Sequence, residues 1–159
     1  MKKISAIVLI LLLVAGMAQA QSKKKVKKNN IKTATVVDVV DGKQTPTERY
    51  VFDKEGRVLE EATYTKEGKF KKLHKIKYNS DGDEIEEEEY DEANKLTERK
   101  KVKYNALGEK TEEVFYDVNG KLLRTNHFSY DSRGLKTEKK ETDANGKVTN
   151  IRKYTYEFR

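Results

Sequence analysis

The sequence predicts an all-β fold: an antiparallel up-and-down meander of about ten strands in one twisted, coiled sheet. Three observations carry this reading. An aromatic-polar-x-x-glycine signal recurs from Phe52 to Tyr156. The turns it marks open at Asp53, Thr65, Asn79, Asp91, Asn105, Asp117, Asp131 and Asp143, in steps alternating between 12 and 14 residues, a unit of 26. The stretches between them are rich in Tyr, Val, Thr and Ile, as strands are. A fixed period of this size marks a repeat architecture.

The elements follow in order. Thr35 to Val40 and Thr47 to Phe52 read as a first hairpin turning near Asp41-Gly42, with Pro46 in or near the loop. Its Val36-Val37-Asp38-Val39-Val40 run is apolar on both faces, which implies a cover. Eight strands come next: Arg57 to Tyr64, Lys69 to Tyr78, Asp83 to Tyr90, Lys95 to Tyr104, Glu109 to Tyr116, Lys121 to Tyr130, Leu135 to Thr142 and Lys147 to Tyr156. Each turn needs an Asp, Asn or Thr first, to hydrogen-bond the backbone ahead of it, and a fourth residue that tolerates positive φ. Gly56, Gly68, Gly82, Gly108, Gly120, Gly134 and Gly146 fill the fourth position, and Asn94 fills it once. Helix fails as a rival because breakers recur too often.

Both steps are even, and side chains alternate with period two along a strand. Even-numbered positions are therefore expected to share one face throughout, with Tyr78, Tyr90, Tyr104, Tyr116, Tyr130, Tyr154 and Tyr156 on it. If each turn residue pairs with the residue after its glycine, Lys75 faces Glu87, Glu87 faces Arg99, Glu86 faces Lys100 and Lys101 faces Glu113. Such pairs fix a register that a polar face leaves loose. The alternating strand lengths imply a slip of about one residue per strand, which coils the sheet. Closure into an up-and-down barrel is the alternative. Exposed edge strands, β-rich and uncapped, invite pairing with other chains.

The chain divides into residues 1–20, 21–31 and 32–159. Lys2 and Lys3, the apolar run Ile7 to Val14 and Ala18-Gln19-Ala20 form a signal peptide pattern cleaved near Ala20. The expected product is secreted or periplasmic, with no membrane span in the mature chain. With no cysteine it has no disulfides and no lipid-anchoring thiol. Residues 21–31 read as a flexible basic tail carrying Lys23, Lys24, Lys25, Lys27 and Lys28, capable of peripheral contact with an anionic surface. The net charge of +7 is this tail plus the two leader lysines; elsewhere 27 bases balance 27 acids. Residues 32–159 form a single β-repeat domain.

Tyr116 to Leu122 and Tyr130 to Leu135 spell Tyr-Asp-x-x-Gly-x-Leu or close to it. This pattern resembles the YD repeat of the bacterial RHS family and related short secreted repeat proteins, over about two thirds of the chain. The resemblance implies β architecture and an envelope or secreted setting. RHS shells are far longer, and no toxin-like domain is appended here.

The residues point to binding rather than catalysis. His74 and His127 fall on opposite faces and outside metal-ligand spacing. Nucleophile, phosphate-loop and metalloprotease motifs are missing. Glu86-Glu87-Glu88-Glu89 places two carboxylates on each face, where they answer the basic strands on either side. Asp117 to Gly120 and Asp143 to Gly146 begin like calcium loops without the distal glutamate. No catalytic residue, metal site or cofactor is assigned. The tyrosines form two rows near the rims, suited to a peptide or to sugar rings. The leading expectation is a non-enzymatic module for envelope protein interaction or self-association through edge strands, with nucleic acid disfavoured. The alternative is a glycan-binding or glycan-processing protein using the tyrosine rims and the Glu86 to Glu89 cluster.

Overall fold

The eight repeated turns form by one mechanism. In the turn at Asp117, its Oδ1 accepts the N–H groups of Asn119 and Lys121, both at 2.9 Å, and Gly120 donates to the Asp117 carbonyl at 3.1 Å. Asn105 does the same through its amide oxygen and Thr65 through its hydroxyl, while the Asn79 amide oxygen accepts the N–H of Asp83 at 2.8 Å. Asn94 takes φ 57° where the other seven turns carry glycine, the left-handed region that Asn tolerates best after Gly.

The computed structural model describes residues 23–159; the expected leader and its cleavage site at Ala20 lie outside the described residues. The turns join ten antiparallel strands in one sheet of order β1 to β10: β1 Thr33–Val40, β2 Lys43–Phe52, β3 Val58–Tyr64, β4 Phe70–Tyr78, β5 Glu84–Tyr90, β6 Leu96–Tyr104, β7 Lys110–Tyr116, β8 Leu122–Tyr130, β9 Lys136–Asp143 and β10 Val148–Lys153. The sheet is open, with β1 and β10 at its two edges, and the barrel alternative is not realised.

One expectation about register is overturned. Tyr78 pairs with Glu84 as expected, but Lys77 then pairs with Glu86, leaving Ile85 as an extra residue. The same bulge follows each of the eight turns, at Leu59, Lys71, Ile85, Thr97, Thr111, Leu123, Thr137 and Thr149. A bulge adds one residue to one strand only, so directly opposite residues differ in parity. Even positions therefore do not share a face. Beyond each bulge the front face takes even residues from β2, β4, β6 and β8 and odd residues from β3, β5, β7 and β9, while a residue on the turn side of a bulge follows the strand before it, as Glu84 follows Tyr78 onto the front; the other positions of these strands make the back face. The pairs become Lys75 with Glu88, Glu87 with Lys100, Glu86 with Lys101 and Lys101 with Val114, each one position from expectation.

The slip survives this correction. Ile76 lies opposite Glu87 and Glu87 opposite Lys100, a displacement of 24 against a sequence repeat of 26. The sheet is coiled by one residue per strand.

Two local expectations change as well. Asp41 and Gly42 alone make the first turn, with φ 50° and 75°, the primed geometry that matches strand twist. Pro46 therefore lies inside β2 and not in the loop, beside a bulge where it opposes Val37. β2 there overhangs the end of β3, so the missing N–H costs no bond to that neighbour. Residues 23–28 form a short helix rather than a flexible arm. Val26 is its buried anchor, and the helix backbone lies against Gly56, where an added Cβ would stand 2.4 Å from the Lys23 carbonyl oxygen.

The core is thin because, among the described residues, no second layer of strands or helices covers either face. Phe52, Val102, Phe115 and Asn126 are buried on the front, and Ala62, Val114, Thr125 and Thr142 on the back. Among the described residues no large side chain is fully enclosed.

Candidate functional site

The strand edges are the least satisfied part of the molecule. Among the described residues β1 pairs only with β2, which leaves its outer backbone groups open. Val36, Val37, Val39 and Val40 are 44%, 40%, 61% and 67% exposed, so the run expected to be covered is open. β10 presents Val148 and Ile151 beside Arg152 and Lys153. Natural sheets shield edges with lysine, proline or inward charge, and β1 has no lysine and no proline.

Polar side chains at 13-residue spacing run across the middle of the front face: Glu61, His74, Glu87, Lys100, Glu113 and Asn126. His74 Nδ1 meets Glu87, whose other oxygen takes Lys100. Lys100 also reaches Glu84 at 2.7 Å, and Glu113 takes Lys110 at 2.8 Å and Asn126 at 3.0 Å. Arg124 forks onto Glu98 at 2.6 and 3.0 Å while lying 3.7 Å over the Phe115 ring.

The electrostatics follow these contacts. The His74 hydrogen bond, opposed by burial and reinforced by Lys100, brings the Glu87 carboxyl down to about 2. Glu87 in return holds His74 above its ordinary value against the effect of burial. Burial lowers the affinity of Lys100 for its proton, but Glu84 and Glu87 together raise it above the usual range. Burial raises the Glu61 carboxyl, outweighing the opposing charge of His74.

A cavity of about 190 Å³ opens among Glu87, Glu89, Glu98, Lys100, Glu113 and Phe115. Every glutamate lining it already has a partner, including Lys72 at 2.8 Å from Glu89. Glu86 and Glu88 are taken on the back face by Lys77 at 2.6 Å and Arg99 at 3.0 Å. The acidic cluster is thus split two and two, as expected, and spent on ion pairs. Among the described residues no group of three His, Cys, Asp or Glu side chains is placed to hold a metal ion.

The tyrosines do not share a face. Tyr78, Tyr104, Tyr130 and Tyr156 recur every 26 residues, and their hydroxyls donate to the carbonyls of Val58, Glu84, Lys110 and Lys136 at 2.8 to 2.9 Å. Burial, then the Glu84 charge, pushes the Tyr78 hydroxyl up to about 12. Tyr90 and Tyr116 stand on the back at the other rim, 5.0 and 5.9 Å from Lys75 and Lys101. The bulge inverts parity between the two rows, and the front row is fastened to the backbone. Tyr154 joins Phe128 beneath Lys136, whose ammonium is 4.6 Å from the Phe128 ring and 5.9 Å from the Tyr154 ring.

His74 and His127 remain on opposite faces; His127 stands 3.6 Å from Glu112. The tail lysines divide. Lys27 pairs with Glu55, and Lys23, Lys24 and Lys27 wall a groove of about 590 Å³ with Glu55, Arg57 and the turn at Ser80 to Gly82. The signal missed in the sequence is Thr at the bulge: Thr97, Thr111 and Thr149 each bond the carbonyl opposite, at 3.1 to 3.3 Å.

Neither a known protein family nor any curated protein matches the sequence. In fold, the chain is similar to a porin-like protein from Bacteroides uniformis, 17% identical over 76% of this chain and 49% of that one, with a TM-score of 0.43. It is similar also to a protein of unknown function from Bacteroides fragilis, 14% identical over 80% and 96% of the two chains, with a TM-score of 0.42. The S. aureus protein TarM is similar over 79% of this chain and 22% of its own, at 16% identity and a TM-score of 0.31. The chain spans about half the length of the porin-like protein. Among the described residues no helix is long and apolar enough to cross a membrane.

Proposed function

We propose that the chain is a non-enzymatic, exported β-repeat module that binds another envelope polypeptide by strand addition at β1. The observation that carries this reading is the open outer edge of β1 together with its four exposed valines. An incoming extended segment gains main-chain hydrogen bonds along such an edge and pockets for alternate side chains. The ion-paired middle of the front face supports binding over catalysis, because Glu87, Glu98 and Glu113 are committed to cations rather than poised for proton transfer. Export rests on the leader pattern of residues 1–20, and the YD-like turn motif accords with an envelope setting.

A photo-crosslinking residue replacing Val39 in the native cell tests the reading, with the same residue at Lys77 as control. The expected result is a polypeptide adduct at Val39 and none at Lys77. No adduct at Val39, or equal adducts at both, overturns it.

One observation favours a second reading, an acidic glycan bound at the β8 to β10 end of the front face. Lys136 and Lys139 lie over Phe128 there, and neither makes an ion pair among the described residues. Retention on an immobilised polyuronate, lost in Lys136→Gln with Lys139→Gln, supports it; equal retention on a neutral polysaccharide sinks it.

A further inference from the structure

The two open edges of the sheet match each other. All nine neighbouring pairs are antiparallel and the strands number ten, so β1 and β10 run in opposite directions. A second copy set beside the first in the same orientation therefore brings its β1 antiparallel to β10. An odd number of strands would have made that contact parallel.

Strand lengths agree with the same arrangement. The longer strands β4, β6 and β8 have 9 residues each, and the strands that follow them have 7 or 8. β10, with 6 strand residues, follows the shorter β9 and so stands where a longer strand is due; beyond Lys153 the chain stays with β9, and Tyr154 N–H donates to the Thr137 carbonyl at 3.0 Å. β1 has the 8 residues of the shorter class. Adding β1 after β10 continues the alternation that coils the sheet.

Charge also separates the possible partners. β10 carries Arg152 and Lys153 with no acid, and β1 carries Asp38 with no base. Two β10 edges would bring four cations together, and like charges across strands destabilise. β10 against β1 joins opposite signs, with Val148 and Ile151 on one strand and the four valines on the other.

We infer that the partner of the β1 edge is a second copy of this chain, joined head to tail through β10. The inference rests on the edge-strand reading above and names its occupant. Such a contact is heterologous, so each added copy leaves a fresh edge at either end and growth is open-ended.

Sedimentation of the full exported chain over a range of concentrations tests this. The wild type is expected to pass beyond dimer as concentration rises. Val37→Lys with Val39→Lys blocks β1, and Ile151→Pro blocks β10; each alone should be monomeric, and an equal mixture should form a heterodimer and stop. Circular dichroism checks that each variant folds. Should Ile151→Pro not fold, Arg152→Glu with Lys153→Glu replaces it: association should weaken about tenfold, and Asp38→Lys in the same chain should restore it. If blocking β10 leaves association intact while blocking β1 abolishes it, the contact is a two-fold β1 pair and the head-to-tail inference falls. A wild type that stays monomeric while Val39 still crosslinks to another polypeptide overturns self-association and leaves the edge reading standing. A monomer without that adduct sinks both.

Discussion

The Tyr104 hydroxyl donates to the main-chain carbonyl of Glu84, 2.8 Å away and twenty residues earlier. Glu84 is the first residue of β5, beside the bulge at Ile85. The front tyrosines thus bond the carbonyl next to every second bulge, through side chains one hairpin further on. Tyr104→Phe keeps the ring and leaves that carbonyl without the hydroxyl. It should cost about 1 kcal/mol in urea unfolding. Tyr130→Phe should cost as much, and the two should add, since they serve different carbonyls. An unchanged midpoint would show that the row is not structural.

The register makes its own prediction. Glu87 meets His74 and Lys100, so Glu87→Lys should destabilise by about 1 to 3 kcal/mol and Lys100→Glu should recover part of the loss. Arg99→Glu should recover none, because Arg99 bonds Glu88 on the other face. Recovery by Arg99→Glu instead would restore the unbulged pairing.

Stability should depend on pH through the same carboxylate. His74 is raised in the fold, so its contribution is complete below its ordinary value of 6.5 and is lost as pH rises through the folded value. Glu87 is lowered, so its contribution is complete above its ordinary 4.5 and is lost as pH falls toward about 2. The pair is strongest between those ordinary values. His74→Gln should cost about 1.5 kcal/mol at pH 5.5 and much less at pH 9. A cost that does not change with pH would contradict the pairing.

Two glycines with similar φ separate turn strain from helix docking. Gly146, at φ +79°, has nothing within 4 Å of an added Cβ, so Gly146→Ala should cost about 1 to 2 kcal/mol, from backbone strain alone. Gly56, at φ +77°, has the Lys23 carbonyl in the way. Gly56→Ala should cost about 1 kcal/mol more than Gly146→Ala, and Val26→Ala should shrink the difference. Equal costs would mean that residues 23–28 do not dock.

The turns were legible because a single residue's chemistry decides each one: Asp117 must accept two N–H groups and Gly120 must take positive φ. The ten strands and the coiling slip followed from counting between turns. The faces did not, because the bulge residue looks like any strand residue until its neighbour's pairing is known. A threonine at positions 97, 111 and 149 was the available hint. The helix over residues 23–28 was hidden because a lysine-rich run shows no apolar period; it is held by the single buried Val26 and by its backbone lying against Gly56. Of the candidate site, the valines of β1 were visible as an apolar run, but their exposure depends on β1 standing at the edge, with no layer over it among the described residues. The tyrosine rows were visible; their assignment to opposite faces awaited the bulges.

Hydrogen exchange of the β1 amides, at a concentration low enough for the chain to be monomeric, tests the central claim most directly. An open edge predicts fast exchange at every second amide of Thr33–Val40, while β5 and β6, paired on both sides, stay protected. Slow exchange at every β1 amide in the monomer would mean that the edge is already filled within the chain, and the strand-addition account would be wrong.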